Sequence, residues 1–332
     1  MVSGMEWEQS TPEVEGMDAS VLEQLDHYMK QKRYRLVNSV LVVKNGKIVL
    51  EKYYNKFNAN SRNRIMSIWK SIISIAAGIS LDQGWIKSLD EPVAAYLPEM
   101  AKGTHPYHKH ITIRHLLTMS SGIYWNGGVH YHCPMVVQMM RTKDWISHIA
   151  DIDMEHVPGM KYQYKEWDIM LLSAVIGRAY GGTAYDVVNQ YLYEPLEILS
   201  GEWPSSPCGF SYHAMMKGEE QTDLSARDLA KIGQLFLNQG LYIGKRIISS
   251  EFVKQAITPS FHEASFVSTP GSCSYGMLWW ISPEGYGAKG YGGQELIVLP
   301  EHRMVTVIQA TPTPSSKSYP DIYTQVIRRA LS

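Results

Sequence analysis

Cysteine is scarce in this chain. The three residues, Cys133, Cys208 and Cys273, are odd in number, far apart and outside any C-x-x-C pattern. That argues against a disulfide framework and suits a reducing compartment. An excess of charge of one sign is lacking too. Lys and Arg number 31 against 32 Asp and Glu, a net charge of −1 with a pI near 6.9. No field therefore steers the protein toward nucleic acid or an anionic membrane, and neither is expected as a partner. The longest basic cluster, Lys30 to Arg35, is short and broken by Tyr34. No apolar run reaches the length of a bilayer span; the nearest, Ile65 to Leu81, contains Lys70 and four serines. The first fifteen residues carry Glu6, Glu8, Glu13 and Glu15 without an apolar stretch of secretory type, so a cytoplasmic location is expected.

Several chemical fingerprints are also missing. There is no G-x-S-x-G elbow, no phosphate-cradling G-x-x-x-x-G-K-[ST] or G-x-G-x-x-G, and no H-E-x-x-H. His105, His108 and His110, and His130, His132 and Cys133, lack carboxylate or C-x-x-C partners at ligand spacing and read as loop residues rather than a metal site. No metal or organic cofactor is implied.

What is present is a globular balance, 45% hydrophobic and 19% charged over 332 residues, enough for one large domain or two interlocked ones. Asp18 caps an amphipathic helix, and Val37 to Tyr54 reads as a hairpin turning at Asn45-Gly46. Ile65 to Leu81, apolar on nearly every face, reads as a buried helix. Helical patterns follow over 113–119, 136–149, 167–180, 184–193 and 226–238. Short β-rich runs at 275–281, 285–291, 295–299 and 304–310 precede a last helix over 319–331. Strands at both ends with helices between them predict an α+β fold, one antiparallel sheet flanked by terminal helices with a large helical insertion. The expected division is a discontinuous sheet domain, 1–66 plus 245–332, and a mostly helical domain, 67–244, with the site in the cleft between them.

Ser67-Ile68-Trp69-Lys70 opens the buried helix. A spacing of three puts hydroxyl and amine on one face, about 5–6 Å apart at Cβ. Burial disfavours the lysine's charged form, so an uncharged Lys70 is expected to accept the Ser67 proton. Pro158-Gly159-Met160-Lys161-Tyr162-Gln163-Tyr164 offers a phenol before another apolar helix. Gly287 to Gln294, with five residues Ala288-Lys289-Gly290-Tyr291-Gly292 at its centre, is a glycine-rich strand where a backbone N–H could meet an oxyanion. Trp125, Tyr131, Trp279 and Trp280 read as core as readily as acyl-pocket lining.

Together these segments resemble the serine β-lactamase-like superfamily, the group of class C β-lactamases, D,D-peptidases and related esterases. Leu89-Asp90-Glu91-Pro92-Val93 through Tyr96-Leu97-Pro98, Ile113-Arg114-His115-Leu116-Leu117-Thr118-Met119-Ser120-Ser121-Gly122, and Leu224-Ser225-Ala226-Arg227-Asp228-Leu229-Ala230 are similar to its signatures and stand in family order. The resemblance implies the β-lactamase/transpeptidase-like fold, an acyl-enzyme on Ser67 with Lys70 as its partner, and Tyr164 as general acid or base. It places Lys289, Gly290 and Tyr291 at the third motif. The family's Y-x-N reads Tyr164-Lys165-Glu166 here, so a carboxylate replaces an amide that helps hold substrate or lysine, and Glu166 joins the candidate site. The third motif is closer in form to esterases and 6-aminohexanoate-oligomer hydrolases than to K-T-G. A carboxylesterase or amidase on a small ester or amide is the leading expectation. The alternatives are a β-lactamase or D,D-carboxypeptidase, and a non-catalytic binding or regulatory protein of the same fold.

Overall fold

The computed structural model describes residues 7–126, 133–212, 224–264, 273–313 and 318–331; His130, Tyr131 and His132 lie outside them. Helix α1 (Ala19–Met29) starts where the Asp18 carboxylate accepts the N–H groups of Ser20 and Val21. Strands β1 (Val37–Lys44) and β2 (Lys47–Tyr53) form the hairpin expected at Asn45-Gly46, both turn residues having positive φ. The apolar helix is α2 (Ile68–Asp82). The helices that follow are α3 (Pro98–Ala101), α4 (Ile113–Leu117), α5 (Pro134–Met140), α6 (Trp145–Ala150), α7 (Glu166–Tyr180), α8 (Ala184–Val188) and α9 (Ala226–Leu237). A small ribbon, β3 (Leu241–Tyr242) with β4 (Lys245–Arg246), leads to α10 (Ser250–Ala256). Then come β5 (Phe261–Ala264), β6 (Cys273–Tyr275), β7 (Trp280–Ser282), β8 (Gly285–Gly290), β9 (Gln294–Leu299) and β10 (Met304–Ala310). A helical segment, Ile322–Ile327, follows.

Eight of the described strands make one antiparallel sheet in the order β2-β1-β10-β9-β8-β7-β6-β5. The ends of the chain meet in it, since Val37 on β1 pairs with Ala310 on β10. Both faces are covered, which is why β1 and β10 carry apolar residues on both sides rather than alternating with polar ones throughout. Leu41, Val43, Val305 and Val307 face the core shared with α2, α7 and α9; Val40, Val42, Met304 and Ile308 face the terminal helices. The fold is thus the expected β-lactamase/transpeptidase-like α+β arrangement.

Two expected elements are divided. The helix over 136–149 breaks at 141–144, where the Asp144 carboxylate caps α6 through the Ile146 and Ser147 N–H groups. The strand over 275–281 is interrupted by a turn with Leu278 at φ 65°. That turn anchors the nucleophile helix: Ser71 and Ser74 each donate a 2.7 Å hydrogen bond, to the carbonyls of Leu278 and Met277. The serines that interrupt the apolar face of α2 are therefore satisfied in the core.

Candidate active site

The head of α2 carries the first functional pair. Met66, just before it, holds φ at 52°, a left-handed conformation costly for a long side chain. This sharp entry brings Ser67 to the N-cap position, half-buried, while Lys70 one turn later is buried. The Lys70 Nζ donates to Ser67 Oγ at 3.2 Å. It also donates to Glu166 Oε1 at 2.8 Å, across 96 residues of chain.

The electrostatics reverse one expectation. Burial alone pulls the Lys70 pKa down, as the sequence suggested. The Glu166 carboxylate and, behind it, Tyr164 outweigh that pull and hold Lys70 above the ordinary lysine range. Lys70 is an ammonium in a buried ion pair, not a free amine. Tyr164, with its ring centroid 5.0 Å from the Lys70 Nζ, hydrogen-bonds through its hydroxyl with Ser67 and Lys70. Burial raises its pKa further than neighbouring Lys70 lowers it, so the resting group is a neutral phenol. Its ring stacks on Trp280 at 6.0 Å and meets Tyr275 edge-on at 6.4 Å. Tyr162 packs away from the cluster, against Tyr275 and Phe261.

The third motif is only partly brought in. Gly290, at the end of β8, lies against the loop that precedes Ser67; a methyl group there would collide with the Ile65 carbonyl and the Met66 Cβ. Neighbouring residues on a strand face opposite ways. Ala288 and Leu296 opposite it belong to the main core, whereas Lys289 lies opposite Glu295, whose charge acts on Tyr323 of the C-terminal helical segment. The Lys289 side chain is therefore on the far face of the sheet from Ser67. The Tyr291 hydroxyl donates to the Thr313 carbonyl at 2.8 Å. Trp125, Trp279 and Trp280 are all buried, and of these Trp280 touches the site through Tyr164.

The segments that carried the resemblance are scaffolding. Arg114 grips Asp90 with two hydrogen bonds of 2.6 and 2.9 Å. The Ser120 carbonyl accepts the Gly159 N–H at 2.8 Å, the Met119 carbonyl accepts the Gln163 N–H at 2.9 Å, and Gly122 (φ 80°) packs where a side chain would strike the His156 carbonyl. These contacts set the Pro-Gly loop and hence the Tyr164 ring. Sequence reading missed two buried groups beside it. Lys165 lies 3.9 Å from Asp168, both out of solvent, and Asp168 accepts from the Ser121 hydroxyl at 2.5 Å. Asn63 joins Asn38, Gln294 and the Ala310 carbonyl at 2.6–2.8 Å, pinning the strand ends beneath the nucleophile loop. The unusual signal for the first was a lysine followed three residues on by aspartate in an apolar run; no local pattern announced the second. Among the described residues no group of three or more metal-ligating side chains converges.

Comparison with known proteins agrees with the fold. A 6-aminohexanoate-dimer hydrolase of Paenarthrobacter ureafaciens is 24% identical over 302 residues, covering 85% of this chain and 74% of that one. The octameric penicillin-binding protein homologue of Pyrococcus abyssi superposes with a TM-score of 0.73 at 19% identity, over 94% of this chain and 78% of the other. A family VIII carboxylesterase superposes with a TM-score of 0.73 at 15% identity, over 98% and 99%. The beta-lactamase family profile matches residues 23–330, spanning the hairpin, the Ser67 helix and the closing strands alike, and the chain belongs to the beta-lactamase family.

Proposed function

We propose that the protein is a serine hydrolase of small esters or amides, a carboxylesterase or amidase, acting through an acyl-enzyme on Ser67. The observation that carries this reading is the convergence of Ser67, Lys70 and Tyr164 from two distant segments, with Ser67 Oγ 3.2 Å from an ammonium and in hydrogen-bond reach of a phenol. Ser67 Oγ attacks the substrate carbonyl. The Ser67 N–H and an N–H from the Ala288–Tyr291 strand receive the developing oxyanion, since Gly290 allows β8 to lie directly against the head of α2. Tyr164, a neutral phenol, donates its proton to the leaving group and afterwards helps activate the water that releases the acyl group. The family membership, with a 6-aminohexanoate-dimer hydrolase among the relatives and a carboxylesterase among the similar folds, supports ester or amide chemistry.

A fluorophosphonate should add covalently to Ser67 of the folded protein, and Ser67→Ala should show neither the adduct nor turnover of p-nitrophenyl esters. Intact-mass spectrometry without an adduct on the wild type would remove the reading. Equal ester rates for wild type and Ser67→Ala would leave a non-catalytic binding protein. Nitrocefin turnover that depends on Ser67 would instead point to a β-lactamase.

A further inference from the structure

Resting on that hydrolase reading, we propose that Glu166 is a positioning residue that stores the nucleophile's proton, acting through Lys70. A lysine that is already an ammonium has no lone pair for the Ser67 proton, yet its Nζ stands between Ser67 Oγ at 3.2 Å and Glu166 Oε1 at 2.8 Å. The nitrogen donates to both oxygens and so links the nucleophile to a carboxylate, nearly out of solvent, with Glu166 buried at the first turn of α7.

The balance closes in two steps. As the Ser67 Oγ–H bond breaks and Oγ bonds to the carbonyl carbon, Lys70 takes that proton and passes another to Glu166. The carbonyl π pair becomes the oxyanion, Lys70 stays an ammonium and Glu166 becomes a carboxylic acid. When the intermediate collapses, the oxyanion pair re-forms the carbonyl and the leaving oxygen or nitrogen departs with the Tyr164 proton. Lys70 then reprotonates Tyr164, and Glu166 returns its proton to Lys70. The acyl-enzyme is left with Tyr164 neutral, Lys70 charged and Glu166 ionised. An amide at position 166 accepts a hydrogen bond from Lys70 but not its proton, so the carboxylate makes a difference of mechanism rather than of packing.

The groups around this pair are Ser67 before α2, Tyr164 from the loop and Tyr275 from β6, which feels Tyr164, Glu166 and Asp168; Asp168 is itself paired with Lys165 at the start of α7. None of the others offers Lys70 a carboxylate at hydrogen-bond distance. Glu166→Gln removes the carboxylate 2.8 Å from the Lys70 Nζ, so a charged Lys70 has no acceptor for the proton it must pass on. The variant can then work only through its uncharged lysine, a fraction that grows with pH. For p-nitrophenyl ester hydrolysis it should lose about 100-fold in kcat at pH 7 with little change in KM, the scale of general-base assistance. Its rate should climb about tenfold per pH unit on the alkaline side, where wild type is flat. Glu166→Asp should restore the wild-type profile shape. Wild-type acylation followed in H2O/D2O mixtures should give a bowed proton inventory, because two protons move together. That measurement decides the matter even where Glu166→Gln does not fold. A Glu166→Gln profile superimposable on wild type, or a linear wild-type inventory, overturns the proposal while Ser67 labelling leaves the hydrolase reading intact. A wild type that takes no fluorophosphonate and turns over no ester overturns both.

Discussion

Lys165 and Asp168 sit one turn apart with no solvent contact, and burial pulls the lysine pKa down and pushes the aspartate up. Both charged forms are thus opposed, and each is tolerated because of the other and of the Ser121 hydrogen bonds. Asp168→Leu leaves a lysine in a dry site without an anion and should cost about 3–5 kcal/mol. Adding Lys165→Met should recover much of that loss, since an apolar pair of similar volume needs no mutual compensation. Urea midpoints of the two variants measure this; a double variant as unstable as the single one would show that the pair is not the reason. At the same scale Lys70 shows why a side chain's chemistry is not its own property. In its apolar helix it would be a depressed amine; beside a carboxylate it is a cation.

Close approach between elements depends on glycines at two crossings. Helix α9 lies on the sheet at Gly233, where a methyl carbon would stand 2.5 Å from Val305 Cγ1 and 2.9 Å from Leu296 Cδ1. Gly233→Leu should destabilise by about 1–3 kcal/mol through overpacking, measured as a lower thermal midpoint, with kcat per folded molecule unchanged. Gly290 is the contrasting case, because its neighbours are the backbone and Cβ atoms of the nucleophile loop rather than flexible side-chain ends. In Gly290→Ala the head of α2 must move, so kcat should fall at least tenfold for a smaller stability change, on the rule that misplacing a reacting group by an ångström costs far more in rate than in packing. Equal losses at both glycines, in rate and in stability, would contradict this division. The division of the helix expected over 136–149 belongs to this scale too. Its apolar spacing lapses over the polar Arg141 to Lys143, and the Asp144 carboxylate, accepting from two N–H groups, starts a second helix there.

The whole molecule is closed by contacts between segments far apart in the chain. Arg227 at the start of α9 grips Glu51 of β2 through hydrogen bonds of 2.6 and 2.8 Å. Burial pushes the Glu51 carboxyl up, but Arg227 and the Tyr53 hydroxyl together hold it below its ordinary value. A carboxyl lowered in the folded state contributes stability that is complete above its unfolded pKa of 4.5 and disappears as pH falls through the folded value. Glu51→Gln should therefore reduce stability at pH 7 and narrow its difference from wild type as the acid transition is approached. Unfolding free energies measured from pH 7 down to 3 test the sign; a gap that widens toward acid would refute it. No described helix is long and apolar enough to cross a membrane.

Local order was legible because it is written locally. The Asn45-Gly46 turn, the buried run of α2 and the S-x-x-K spacing each depend on neighbours within a few residues, and the last sets Ser67 and Lys70 within one turn of each other. What tertiary structure alone decided involves partners remote in sequence. The charge on Lys70 is set by Glu166, 96 positions later, and the support under Ser67 comes from Asn63 reaching Gln294, 231 positions on. The direction of Lys289 is set by pairing register, in which one residue's difference exchanges the two faces of β8. Spacing can say which side chains are able to meet; only the packed fold determines which charge each finds there.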